Sequence, residues 1–228
     1  MTRVMYIAAM NPSPARRTPP RRSHAERSEA TQRHLIDSAI DVVRSRSYHG
    51  ATVFEVAKAA GVTPGALQHH FGSKAVLMMR VIHEILRASD ASGVPWPSPD
   101  LLPEERARRL VKALWQRVYE PPRFLAAWSV YFGANTDEQV RAYIAAQRAG
   151  LAATLRERFA ATFPEMGVGA AAATLADLVL STLRGIGIAR LLDPAPEATA
   201  AQLRALAELI ALRCRSAPPR TRNRSKKP

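Results

Sequence analysis

The stretch from Thr52 to Lys74 concentrates side chains that can form hydrogen bonds with nucleic acid. Hydroxyl, imidazole and ammonium groups contact phosphate oxygens, and an amide side chain can pair with the edge of a base in the major groove. Small residues between these groups would let a helix approach the base edges. The candidate DNA-contacting residues are Thr52, Thr63, Pro64, Gly65, Ala66, Gln68, His69, His70 and Lys74.

No set of residues predicts catalysis. The motifs H-E-x-x-H, C-x-x-C, G-x-x-x-x-G-K-[ST] and G-x-S-x-G are absent from the sequence. His69 and His70 are adjacent, so they do not share a helix face as a zinc-binding pair does. The stretch 167–172 matches the loose pattern G-x-G-x-x-A, but it follows a helical pattern and Pro164 rather than a strand. We therefore expect no enzyme activity, no metal and no cofactor.

Two short helices must hold the candidate DNA-contacting residues. Thr52 is a good N-cap for a helix over 53–60, and Thr63 caps a second helix. Between them, Gly61 tolerates the positive φ that a tight turn needs, and the small Ala57 lets the two helices approach. The apolar residues that would close a core behind them are Val56, Ala60, Val62, Leu67 and Phe71. This pattern predicts a helix-turn-helix.

The stretch resembles the DNA-binding domain of the TetR family, whose signature runs T-x-x-x-I-A-x-x-A-G-V-S-x-G-x-L-Y-x-H-F-x-x-K. The residues that fall on its positions, without a gap, are Thr52, Val56, Ala57, Ala60, Gly61, Val62, Thr63, Gly65, Leu67, His70, Phe71 and Lys74. With the preceding amphipathic helix, the resemblance covers about residues 28–80. It implies an all-α homodimer in which three N-terminal helices bind double-stranded DNA and a larger C-terminal helical domain binds a small-molecule effector and dimerises.

One residue departs from the family pattern. Gln68 stands where the family usually has a tyrosine that contacts phosphate, and a glutamine can either donate to phosphate or pair bidentately with adenine. Lys74 resembles the family's phosphate-binding lysine, with a solvated surface role as the alternative. His70 is either a packed structural histidine or a phosphate contact. Thr52 and Thr63 are caps first, but their hydroxyls and the nearby N–H groups can reach phosphate.

Charge and composition predict basic ends on an all-α chain. Most of the +14 net charge lies within residues 1–22 and 215–228, which carry no acidic residue. We expect a disordered basic arm over 1–27, the helix-turn-helix domain over 28–74, a helical ligand-binding and dimerisation domain over 75–214 and a disordered tail over 215–228. The tails either contact DNA phosphates or only aid solubility, and Met5 or Met10 is an alternative start.

The rest of the sequence favours a cytoplasmic protein. It has no uninterrupted apolar run of the length that spans a membrane, and its single cysteine, Cys214, excludes an internal disulfide. Beyond a linker at 92–103, helices are predicted at about 103–118, 122–134, 136–162, 169–192 and 196–214. No stretch shows the alternation of a β-strand.

The effector site is less sharply indicated. Aromatic residues cluster in the middle of the chain, either as ordinary core or as the wall of an apolar pocket. Arg184 lies in an apolar segment, where it would meet an acidic effector, pair with Asp177 or reach solvent. The candidate ligand-binding residues are Trp115, Tyr119, Trp128, Tyr131 and Arg184. By resemblance, a dimer interface would use Leu178, Val179, Thr182, Gly185, Ile186, Ala189 and the stretch 203–212.

The resemblance therefore implies a dimeric repressor that reads a pseudo-palindromic operator and is released by a ligand. A dimer enters successive major grooves when its recognition helices lie roughly 34–36 Å apart. The alternatives are a ligand-independent regulator or an activator, and a sequence-independent protein that coats DNA through its tails.

Overall fold

The computed structural model describes residues 24–88, 93–167, 169–192 and 195–216, and all regular structure within these ranges is helical. The all-α prediction is confirmed. The expected arm and tail lie for the most part outside the described residues. The helices are α1 (His24–Gly50), α2 (Val53–Ala59), α3 (Pro64–Phe71), α4 (Lys74–Ala88), α5 (Pro103–Leu114), α6 (Pro122–Gly133), α7 (Glu138–Thr162), α8 (Ala170–Ala189) and α9 (Pro196–Arg215).

Capping residues set the limits of the short helices, as the sequence predicts. The Thr52 hydroxyl accepts a hydrogen bond from the Glu55 N–H at 3.2 Å, and the Thr63 hydroxyl accepts one from Ala66 at 3.2 Å. Gly61 in the turn between α2 and α3 has a φ of 67°, which a residue without Cβ adopts without strain. The first helix begins at His24 rather than at the predicted Ser28.

Two apolar cores hold the helices together. The first lies under α1–α4 and also takes in α6 and the start of α7, with Leu35, Leu67 and Met78 at its centre. The second joins α5, α8 and α9, where Leu183 and Ile210 are fully buried. Two helices, α6 through Phe124 and Val130 and α7 through Val140 and Phe159, contribute to both cores and so link the two halves of the chain.

The end of α5 differs from the predicted regular helix. Its α-helical geometry stops at Leu114, and a π-helical turn runs from Trp115 to Tyr119. The Glu120 N–H donates to the Trp115 carbonyl at 2.8 Å, which closes this wider turn. The turn directs Tyr119 into the protein, where its side chain is 5% exposed.

By length and composition, α8 is the one described helix that would suffice to cross a membrane. A core helix passes the same test, and α8 buries Ala176, Val179 and Leu183 in the second core. Packing within the chain buries 39% of this apolar stretch.

A close contact joins α1 to α6. Ser47 has a φ of 62° and a ψ of 176°, which breaks the helical geometry of α1 just before Tyr48. The Tyr48 N–H then donates to the Ser129 hydroxyl at 3.1 Å. Gly133, one turn further along α6, lies so close that a Cβ at this position would be 2.4 Å from the Tyr48 Cβ. Only glycine allows this approach.

The substitution Gly133→Ala is therefore expected to lower the free energy of unfolding by about 1–3 kcal/mol, because the new methyl group overlaps the buried Tyr48. Gly150→Ala is the matched control, since a Cβ there meets nothing within 4 Å in α7. That control should be neutral or more stable by about 0.5–1 kcal/mol. Urea unfolding followed by circular dichroism measures both, and equal stabilities of the two variants would contradict the prediction.

Candidate nucleic-acid interface and effector cavity

The candidate recognition face is the outer surface of α3. Leu67 and Phe71 are 1% and 7% exposed and anchor the helix on the first core. The intervening residues point away from that core. The exposed residues at the N-terminus and on the outer face of α3 are Thr63, Pro64, Gly65, Ala66, Gln68 and His69, all of them predicted DNA contacts. Short side chains surround Gln68, so its amide projects from a surface that has the shape needed to enter a major groove.

The two neighbouring histidines differ in their surroundings. His69 is exposed, whereas His70 is half-buried and lies 6.4 Å from the Phe71 ring, measured between ring centroids. The His69 and His70 rings are 5.8 Å apart at a steep angle. His70 thus combines a packed ring with a partly accessible edge, and its phosphate contact stays a prediction.

Thr52 also lies on the exposed surface, at the start of α2. Both cap hydroxyls act as acceptors for a backbone N–H, which leaves the hydroxyl hydrogens of Thr52 and Thr63 available to donate. A hydroxyl in this position at a helix N-terminus is suited to a phosphate oxygen.

Lys74 makes an internal contact that the sequence did not indicate. Its Nζ donates to the Tyr48 carbonyl oxygen at 2.7 Å and lies 4.3 Å from the centroid of the Tyr48 ring. Burial lowers the pKa of Lys74. An ammonium group has three hydrogens, so this contact is compatible with one to phosphate. Tyr48 lies on another helix, and no local pattern relates the two residues.

A mostly apolar cavity of about 120 Å³ lies between α4, the π-helical turn, α6, α7 and α8. Four of the five candidate ligand-binding residues line it, namely Tyr119, Trp128, Tyr131 and Arg184. The fifth, Trp115, is 6% exposed in the second core, with the Arg190 guanidinium 5.4 Å from its ring. The described lining contains no aspartate or glutamate.

The sequence reasoning missed one residue of this cavity, Arg148 on α7. A signal was present, because Ile144, Arg148, Leu151 and Leu155 follow one another at helical spacing and a charge interrupts an otherwise apolar stripe. The suggested pairing of Arg184 with Asp177 is wrong. Asp177 instead receives two hydrogen bonds from Arg156, at 2.7 and 2.9 Å.

The suggested dimer surface is also corrected in part. Val179 and Ile186 are 1% and 9% exposed and pack in the second core of their own chain. The surface of α8 and α9 presents Leu178, Leu209 and Leu212, each more than half exposed and each within the predicted interface. Gly185 and Ala189 are also exposed and Thr182 is half-buried, so the predicted face of α8 stands except for Val179 and Ile186.

Known proteins resemble the DNA-binding half of this chain. Residues 35–81 match the model described as bacterial regulatory proteins, tetR family. The HTH-type transcriptional regulator BetI of Rhizobium meliloti (strain 1021) is 30% identical over 108 residues, which make up 47% of this chain and 53% of BetI. The chain thus spans about half the length of the curated relatives it matches.

Solved structures share the fold over most of the chain. A transcriptional regulator from Rhodococcus sp. Rha1 has a TM-score of 0.63 and 23% identity, covering 79% of this chain and 96% of its own. The TetR family transcriptional regulator PfmR from Thermus thermophilus has a TM-score of 0.58 and 23% identity, covering 78% and 97%. Residues 35–81, from within α1 to within α4, thus form a DNA-binding domain of the TetR family, and the helices beyond them share the fold of these solved structures.

Proposed function

We propose that the protein is a sequence-specific, DNA-binding transcriptional regulator, a homodimeric repressor in the cytoplasm that a small-molecule effector releases from its operator. The observation that carries the DNA-binding role is the exposed face of α3, where Gln68 and His69 project from a helix anchored by Leu67 and Phe71. The family match over residues 35–81 supports the same role.

The dimer is supported by leucines on the surface of α8 and α9. Leu178 is 58% exposed, Leu209 61% and Leu212 52%. Apolar side chains gathered on one face favour contact with a partner, because burial removes their surface from water. A two-fold axis through this face would give each dimer two recognition helices, as a pseudo-palindromic operator requires.

Release by a ligand is supported by the path from the cavity to α3. Trp128 and Tyr131 line the cavity from α6, and Ser129 between them accepts the hydrogen bond from Tyr48. Tyr48 in turn holds Lys74, the first residue of α4. A ligand that binds better to a shifted position of α6 would shift the population of α1 and α4 positions, and with it the spacing of the recognition helices.

Mapping the bound sites of the purified protein across its own genome tests the proposal. We expect an inverted repeat with half-sites about one helical turn apart. Deleting 1–22 and 217–228 should leave that preference in place, whereas a protein that coats DNA through its tails would lose binding. A reporter gene in a deletion strain then separates repression from activation, the alternative that the same geometry allows.

Substituting Gln68 by Ala is expected to weaken operator binding about tenfold or more, because a bidentate contact to a base is worth about 1–3 kcal/mol. If Gln68 reads adenine, the loss is confined to one position of the half-site in a binding assay on single-base operator variants. If it contacts phosphate, all operators weaken alike. Gln139→Ala, an exposed glutamine on α7, is the control and should bind as the parent does.

The substitution Lys74→Met separates a folding role from a DNA-contacting role. Loss of the hydrogen bond to the Tyr48 carbonyl should lower the free energy of unfolding by about 1 kcal/mol. The loss is modest because this hydrogen bond is only partly buried. A phosphate contact would also reduce the slope of log affinity against log salt by about 1. Lys112→Met on the exposed side of α5 is the control. Unchanged stability of Lys74→Met would contradict the internal contact.

Placing a charge on the leucine face should dissociate the dimer. Leu209→Glu is expected to sediment as a monomer in analytical ultracentrifugation and to bind the operator more weakly, because a carboxylate would have to be buried without a partner. Phe54→Glu, at an exposed apolar residue of α2 in the DNA-binding half, should leave the assembly unchanged. A dimer formed by Leu209→Glu would show that the interface lies elsewhere.

A further inference from the structure

Two guanidinium groups face the same cavity from neighbouring helices. Arg148 comes from α7 and Arg184 from α8, and both side chains are half-buried. The Arg148 guanidinium lies 5.7 Å from the Trp128 ring and 5.4 Å from the Tyr131 ring, measured to the ring centroids. Aromatic faces therefore hold Arg148 at the wall while its charge stays directed at the cavity.

No carboxylate balances these two charges within the described part of the chain. Neither Arg148 nor Arg184 forms an ion pair or a side-chain hydrogen bond with another described residue. Asp177, whose charge acts on Arg184, is committed to Arg156 through both carboxylate oxygens. Glu84 on α4 is committed in the same way to Arg87, at 2.7 and 3.1 Å.

The tyrosine in the cavity wall does not supply the missing negative charge. Burial raises the pKa of Tyr119 to about 12, so its hydroxyl stays neutral and donates to the Leu180 carbonyl at 3.4 Å. Burial first, and then the charge of Arg148, lower the pKa of Arg184. Both effects mark a cation that has lost water without gaining a partner, and such an arrangement lowers the stability of the ligand-free protein.

We propose, building on the effector role of the cavity, that its ligand is a small organic anion with an apolar body. The carboxylate would lie between Arg148 and Arg184, and the body would pack against the aromatic and aliphatic wall. A volume of about 120 Å³ is close to that of the roughly 150 Å³ apolar cavity that accommodates benzene, so the body is one ring or a short chain. A cationic ligand would meet two positive charges and is disfavoured.

Isothermal titration calorimetry with the full-length protein, without DNA, tests the ligand class. The probes are benzoate and octanoate, their neutral amides benzamide and octanamide, and phenyltrimethylammonium. We expect both anions to bind, the amides to bind at least tenfold more weakly and the cation not to bind, because a carboxylate can accept charge-assisted hydrogen bonds from both guanidiniums. Equal binding of anion and amide, preference for the cation, or no binding of either anion at millimolar concentration would overturn the proposal.

Variants of the two arginines add a second measurement, the melting temperature of the ligand-free protein. A purely structural role of the arginines would lower that temperature on substitution. Arg184→Met and Arg148→Met should each weaken benzoate binding at least tenfold, while the ligand-free melting temperature of Arg184→Met stays equal or rises, because a partnerless buried charge is removed. Arg158→Met, an exposed residue of α7, is the control for both measurements. A lower melting temperature of Arg184→Met with unchanged benzoate affinity would assign Arg184 to the fold instead.

Measuring operator affinity with and without benzoate distinguishes a failure of the proposed ligand class from a failure of the proposed function. If benzoate binds but operator affinity stays the same, release by a ligand is refuted and the anionic character of the cavity's ligand stands. If the operator is bound and the anions are not, the ligand class is refuted and the DNA-binding role stands.

Discussion

The packing of Tyr48 between three helices is the constraint on which the arrangement of the chain depends. Its backbone N–H is bound by Ser129 on α6, its carbonyl oxygen binds the Lys74 ammonium on α4, and its side chain occupies the space that Gly133 leaves free. The tyrosine itself is 8% exposed. These contacts hold the DNA-binding half against α6, so one residue touches both the helices that support the recognition helix and the helix that carries part of the cavity wall. The backbone of Ser47, in a conformation that costs about 1–3 kcal/mol for a residue with a side chain, is what turns Tyr48 toward α6.

The proposed coupling between the cavity and the recognition helix would act through supports that the two share. The same α4 that begins at Lys74 contributes Ile82, Ile85 and Leu86 to the cavity. Both α4 and α6 contact Tyr48, through Lys74 and Ser129, so a ligand that moved either helix would act on the Tyr48 contacts. This packing favours two discrete arrangements over a continuous deformation, since close-packed interiors do not deform gradually.

How far the sequence predicts the structure follows from the range of the interactions involved. The caps at Thr52 and Thr63 and the turn at Gly61 depend on neighbours within a few residues, and all three were predicted. The contact of Lys74 with Tyr48 and the burial of Val179 depend on how distant helices are rotated, which helical periodicity alone does not determine. Arg148 falls between these cases. The sequence places Arg148 on an apolar stripe of α7, but it does not show that Arg184 faces the same cavity.

The π-helical turn from Trp115 to Tyr119 determines which side chains after α5 face the cavity. A π-turn holds one more residue than the α-helical turn it replaces, so everything after it is rotated by about 100° relative to an uninterrupted helix. If the same residues formed an uninterrupted α-helix, the Tyr119 hydroxyl would be rotated away from Leu180 without any change of a cavity-lining residue type. The backbone of these five residues, and not only their side chains, therefore decides which groups the cavity presents to a ligand.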